Sequence, residues 1–150
     1  MPIYALGKFE PQIDSDAYVH PEAVIIGNVT IGPESSVWPH AVIRGDDGKI
    51  VIGARSSIQD NAVIHCIPQV TTTVGDDVTL GHLCHLEGCR IEDEALVGVG
   101  AVVLHNAVVG RGSIVGANAV VRNGQDLHHV RHTLLFQAPG YFFYPSQLHV

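Results

Sequence analysis

Arg44, His65 and Glu87 each stand at a break in a repeat of aliphatic residues, while Asp60 and His82 share another phase of it with Gln59 beside them. Imidazoles and carboxylates are ligand types of zinc and of open non-haem iron sites. The three cysteines, Cys66, Cys84 and Cys89, match no zinc-ribbon spacing. They read as buried, reduced thiols, with Cys66 a poor ligand beside His65 and Cys84 turned inward.

What positions these residues is a repeat. An aliphatic residue recurs from Ile13 to Val121, mostly at steps of six, with a small residue such as Ala23, Ala41, Ser56, Ala62 or Cys84 at the fifth place of the unit. A six-residue period is that of a parallel β-helix, each hexad supplying one short strand and one corner. Three hexads close one triangular turn, and the eighteen aliphatic marks predict about six turns. The fold expected is all-β, with residues 1–121 forming the helix and its N-terminal cap. Residues 122–150 form an irregular tail that caps the solenoid or contacts another subunit, since solenoid ends need covering. The glycines near corners, among them Gly27, Gly32, Gly53, Gly75, Gly81 and Gly98, are expected where positive φ is needed.

The beat breaks three times, from Ile43 to Ile52, Ile64 to Val74 and Leu86 to Ile91. Each break follows the third mark of a turn, and directly after those marks stand Arg44, His65 and Glu87. Equivalent residues of successive turns stack one strand spacing apart, so these three form one outward column. Asp60 and His82 form a second column from another corner, with Gln59 beside it. One ion cannot gather ligands from two corners of a rigid prism, whereas adjacent prisms can present them to each other. The expectation is a cyclic homo-oligomer, most simply a homotrimer, with sites at its interfaces.

Hydrophobic residues make up 46% of the 150-residue chain and charged ones 15%, which implies one globular domain with a sizeable core. The net charge of −7 and the lack of a Lys/Arg cluster argue against nucleic acid or an anionic membrane as partner. No apolar run approaches a bilayer span. The opening MPIYALGKFEPQ shows no signal-peptide pattern, so a cytoplasmic location is expected, with an organellar matrix as the alternative.

The segments VWPHAVIRGDDG (37–48), IGARSSIQDNAVIH (52–65), VGDDVTLGHLCHLEGC (74–89) and IEDEALVGVGAVVLHNAVVG (91–110) resemble the γ-class carbonic anhydrases and their homologues. The resemblance covers most of the chain and implies a left-handed coil. It also implies a metal, usually zinc, held by three histidines and supplying a metal-bound hydroxide for the reversible hydration of carbon dioxide to bicarbonate. His65 and His82 match the first two ligands, and the third position holds Glu87. Arg44 and Asp46 match an interface ion pair, Gln59 and Asp60 the residues that orient the metal-bound water, and Asp47 an acidic group of proton transfer. The family's second acidic proton-transfer loop has no counterpart in Cys66–Thr73.

A carboxylate ligand cancels more of the ion's charge than an imidazole, so bound water ionises less readily and hydration should slow. His85 and Glu87 flank Leu86 and point to the same face of a strand. His85 is therefore the alternative third ligand, with Glu87 then a supporting carboxylate or base. Two other functions stay open: metal-dependent hydrolysis of another small electrophile such as a thioester, and a non-catalytic trimeric assembly protein with an altered site. An acyltransferase fits the fold alone and is disfavoured by the metal columns. His20, His40 and His105 read as solvent-facing, and His128, His129 and His132 as a surface cluster.

Overall fold

The computed structural model describes residues 2–127, and among them every regular element is a β-strand. No helix there is long and apolar enough to cross a membrane. The tail's His128, His129 and His132 lie outside the described residues.

Most strands are only two or three residues long, and all pair in parallel with the strand one turn away. One face stacks Tyr18–Val19, Ser36–Val37, Ser57–Ile58, Thr79–Leu80, Leu96–Val97 and Ile114–Val115. A second stacks the starts of Val24–Ile31 and Val42–Ile52 with Val63–His65, His85–Glu87, Val102–Val103 and Val120–Val121. The third stacks Gln12–Ile13, the ends of the two long strands, Thr72–Val74, Arg90–Ile91 and Val108–Val109. Strands this short cannot stand alone, so each turn is stabilised by burying its inward side chains against its neighbours.

The aliphatic marks fill the prism. Ile25, Ile43, Ile58, Ile64, Leu80, Leu86, Val97 and Val103 are fully buried, each contributing about 1.5–3 kcal/mol by leaving water. The fifth-place residues lie beneath the corners. Ser35 and Ser56 are buried there because their hydroxyls donate to the carbonyls of Gly53 (2.7 Å) and Gly75 (2.8 Å) one turn on. The coil also runs past its eighteen marks. Ile3–Tyr4 pairs with Ile25 and Ile26 below, and Asp126 bridges to Val108 above, so the solenoid has about seven turns and not six.

The corners differ from expectation. Positive φ falls three residues after the mark, mostly on residues other than glycine: Glu34, His40, Arg55, Asn61, Asp77, Leu83, Glu94, Asn106 and Asn118. The glycines that directly follow the marks serve another purpose. A Cβ on Gly32 would sit 2.8 Å from the Gly53 backbone, and one on Gly53 2.7 Å from that of Gly75. They are glycines because successive turns pack backbone on backbone there.

All three breaks fall at the corner between the second and third faces. After Ile43 the strand Val42–Ile52 runs unbroken around the corner, and its register with Val24–Ile31 shifts between Gly27 and Val29. The surplus residues, including Asp46 and Asp47, bulge outward. After Ile64 an antiparallel bridge between Ile67 and Val70 closes a small loop. After Leu86 the corner is cut short at Gly88 (φ 58°), where an added Cβ would lie 2.9 Å from Ile67 Cγ1.

Candidate metal centre

Arg44, His65 and Glu87 are consecutive Cα partners, which places them in one column at the irregular corner. The Asp46 bulge folds back over it. Asp46 Oδ1 lies 2.8 Å from His65 Nε2, and Asp46 Oδ2 accepts from the Arg44 guanidinium. On the other side of the ring, His65 Nδ1 lies 2.9 Å from Glu87 Oε1. Glu87 Oε2 in turn lies 2.9 Å from His105 Nε2 and 3.9 Å from His85 Nε2. The result is a chain of alternating basic and acidic side chains drawn from four successive turns, Arg44–Asp46–His65–Glu87–His105.

Thr72 fixes the backbone beneath it. Its buried hydroxyl donates to the His65 carbonyl (2.6 Å) and accepts from the Gly88 amide (2.9 Å), tying two rungs together. Neither Thr72 nor His105 emerged from the repeat as a site residue, and His105 is not simply solvent-facing. Its only sequence signal is an imidazole one turn beyond an acidic residue.

The electrostatics follow the contacts. Partial burial pushes the Asp46 carboxyl up, but hydrogen bonds with His65 and its own backbone amide, and the nearby Arg44 charge, leave it below its usual 3.8. Hydrogen bonds with His65 and then His105 hold Glu87 below its usual 4.5. Both carboxylates are therefore anionic at neutral pH, and His65 faces one with each nitrogen. A neutral imidazole has a single N–H, so the second nitrogen meets its carboxylate comfortably only through a cation, either a proton or a metal ion.

The donor atoms of Asp46, His65 and Cys66 lie within 4.8 Å of one another. Cys66 is the weakest of the three. Burial pushes its thiol up, and its Sγ rests 3.7 Å from the Arg44 carbonyl. Cys84 and Cys89 are buried thiols pushed up to about 12 and play no part.

His82 is elsewhere. It stands at the corner between the first and second faces, one strand length from His65 and Glu87. Its Nδ1 lies 3.1 Å from Asp60 Oδ2, which leaves Nε2 outermost, and 51% of its side chain is exposed. Gln59 precedes Asp60 at the same corner, its backbone N–H donating to the Leu80 carbonyl. Asp47 is exposed on the bulge. The fold thus brings Arg44, Asp46, His65, Glu87 and His85 together, and sets His82, Asp60 and Gln59 apart from them. The donor types fit a small divalent ion.

The description "Bacterial transferase hexapeptide (six repeats)" matches residues 10–45 and 88–123. The chain is 56% identical over 81 residues to a probable carbonic anhydrase of Methanocaldococcus jannaschii, covering 54% of this chain and 51% of that one. It is 42% identical over 100 residues to the mitochondrial gamma carbonic anhydrase 2 of Arabidopsis thaliana, covering 63% of this chain and 36% of that one. The chain therefore spans about half or less of the length of these curated relatives. Among solved structures, a hexapeptide transferase family protein from Anaplasma phagocytophilum superimposes with a TM-score of 0.80 at 37% identity, over 83% of this chain and 73% of that one. The coil is the left-handed β-helix of hexapeptide-repeat proteins.

Proposed function

The chain belongs to the γ-carbonic anhydrase family of hexapeptide-repeat proteins, and on that premise we propose that it hydrates carbon dioxide at a metal site shared between subunits of a homotrimer. The observation that carries this reading is the split donor set. His65 lies in a part-buried carboxylate cradle at one corner, while His82 projects from the other with its ring steadied by Asp60. No single prism closes such a site, and a heterologous contact repeated around a ring does.

In this reading His65 of one subunit and His82 of the next hold the ion, zinc or ferrous iron, together with a carboxylate from the His65 column. Glu87 stands at the family's third-ligand position, with His85 beside it. The ion would supply Lewis acidity toward water and carbon dioxide. The chain's own groups do the rest. Asp60 orients His82, and Gln59 positions the reacting water from the same corner. Arg44 of the same chain, and not of a neighbour as the resemblance implies, holds Asp46 over the His65 column, and Asp47, exposed on its bulge, passes protons to bulk solvent.

Metal analysis and stopped-flow hydration of carbon dioxide test the proposal. The wild type is expected to carry about one ion per chain and to be active, and His65→Ala and His82→Ala each to be inactive. Mixing the two variants should restore activity at the interfaces that join an intact His65 to an intact His82, about a quarter of them in a random mixture of rings. A metal-free wild type, inactive after zinc or iron loading, would remove the hypothesis.

The carboxylate at position 87 favours a second reading, metal-dependent hydrolysis of a thioester or similar electrophile. Turnover of an acyl-CoA panel without hydration of carbon dioxide distinguishes it. Hydratase activity that appears only in Glu87→His would instead mark an assembly protein with an altered site.

A further inference from the structure

Glu87 has no free oxygen. Oε1 faces His65 Nδ1 and Oε2 faces His105 Nε2, both at 2.9 Å, with His85 Nε2 3.9 Å from the latter. The two nitrogens of an imidazole direct their bonds to opposite edges of the ring. An ion on Nε2 of His65 is therefore out of reach of a carboxylate bound to Nδ1. The group beside Nε2 is Asp46, whose Oδ1 is 2.8 Å away while Arg44 engages its other oxygen. A small opening of the Asp46–His65 pair would let both donors face one small divalent ion. Cys66, the remaining nearby donor, is fully buried with its Sγ turned to the Arg44 carbonyl at 3.7 Å.

We propose that Asp46, and not Glu87, is the carboxylate that meets the ion beside His65, and that Glu87, clamped by His105, is a positioning residue that fixes the tautomer and orientation of His65. The assignment rests on the reading above that His65 is a ligand. Metal-bound histidines commonly donate their second N–H to a carboxylate, and losing that partner weakens metal affinity about 10–100-fold. The Glu87–His105 pair performs that role here. It accounts for an imidazole one turn beyond a carboxylate, at a place the hexad pattern would leave to solvent. Asp46 then combines two duties, meeting the ion through Oδ1 and anchoring to Arg44 through Oδ2.

The test uses the full chain, with zinc affinity measured by chelator competition, the visible spectrum of the cobalt(II) form, and oligomer size by light scattering. D46N is expected to lose zinc binding as completely as H65A. E87Q is expected to lose affinity about 10–100-fold while its cobalt spectrum keeps the wild-type band positions, because the coordinating atoms are unchanged. H105N should lose less than E87Q in the same direction. If E87Q matches H65A and shifts the cobalt bands while D46N binds as wild type, Glu87 is the ligand and the assignment is overturned. If D46N does not assemble, the E87Q spectrum decides alone: unchanged bands support the assignment and shifted bands overturn it. Wild-type binding in H65A is a different failure, since it removes the metal site itself and the proposed function with it.

Discussion

Two corners of the same prism carry ladders of alternating basic and acidic side chains, and they are not equivalent. At the regular corner after the third face, Arg55 forms a two-pronged pair with Asp77 at 2.8 Å, and Arg111 reaches Glu94 at 2.5 Å and Asp93 at 3.6 Å. Those side chains are 44–63% exposed. At the irregular corner the basic groups beside the carboxylates are imidazoles, and His65 is only 14% exposed. A guanidinium is always charged and never lends a lone pair, so the first ladder can only decorate the surface. An imidazole can carry a proton or bind an ion, and partial burial makes the choice matter. The repeat supplies the stacking in both places. The broken beat supplies the bulge and the shelter in only one.

The largest way to press on the contrast is through the core beneath the sheltered ladder. Ile64→Ala should cost about 2–5 kcal/mol in denaturant unfolding and weaken metal binding as well, because Ile64 is the buried neighbour that seats His65. Undiminished metal binding at that loss of stability would show that the ladder does not depend on its rung. Gly88→Ala comes next, at about 1–3 kcal/mol. It forces a side chain to φ 58° and against Ile67, and it should disturb the Glu87 end of the ladder first.

A pH series sharpens the comparison further. Glu87 is held below 4.5 by His65 and His105. Its folded value is thus lower than its unfolded one, and its stabilisation is present above about pH 4.5 and lost as the pH falls through the folded value. The stability difference between wild type and Glu87→Gln should therefore shrink on acidification below pH 5. A difference that stays flat from pH 7 to pH 3 would show the contacts to be energetically idle. The smallest effect belongs to the exposed corner. Arg55→Ala should leave stability close to wild type, any small loss fading in salt, with metal affinity unchanged. A larger cost there would erase the distinction between the two ladders.

Much of the site was legible because stacking converts spacing into proximity. Arg44, His65 and Glu87 share a phase in the hexad count, and the strands place them in register. His105 was not legible. It lies two places past its mark Val103, outside the Arg44–His65–Glu87 phase. Only the shortened corner at Gly88 lets Glu87 and His105 meet. Thr72 was hidden for a related reason. Its partners are the His65 carbonyl and the Gly88 amide, and a backbone atom freed by an irregular corner has no signature in residue types. The glycines show the converse error. The pattern marked them correctly, but their reason is the close approach of successive turns, while the left-handed corner positions fall to residues such as Asn61, Asp77 and Leu83.

The sequence by itself determined the coil, its three faces, the corner where chemistry concentrates and the separation of His82 from His65. A six-residue period with buried aliphatic marks permits only one stacking of the turns, and stacking fixes phase. The tertiary structure decided which atoms meet. The Asp46 bulge folds over Nε2 of His65, Glu87 takes Nδ1, and His105 closes the chain from the turn above. Those choices depend on side-chain direction at three irregular corners, where the repeat no longer constrains the backbone and local packing does.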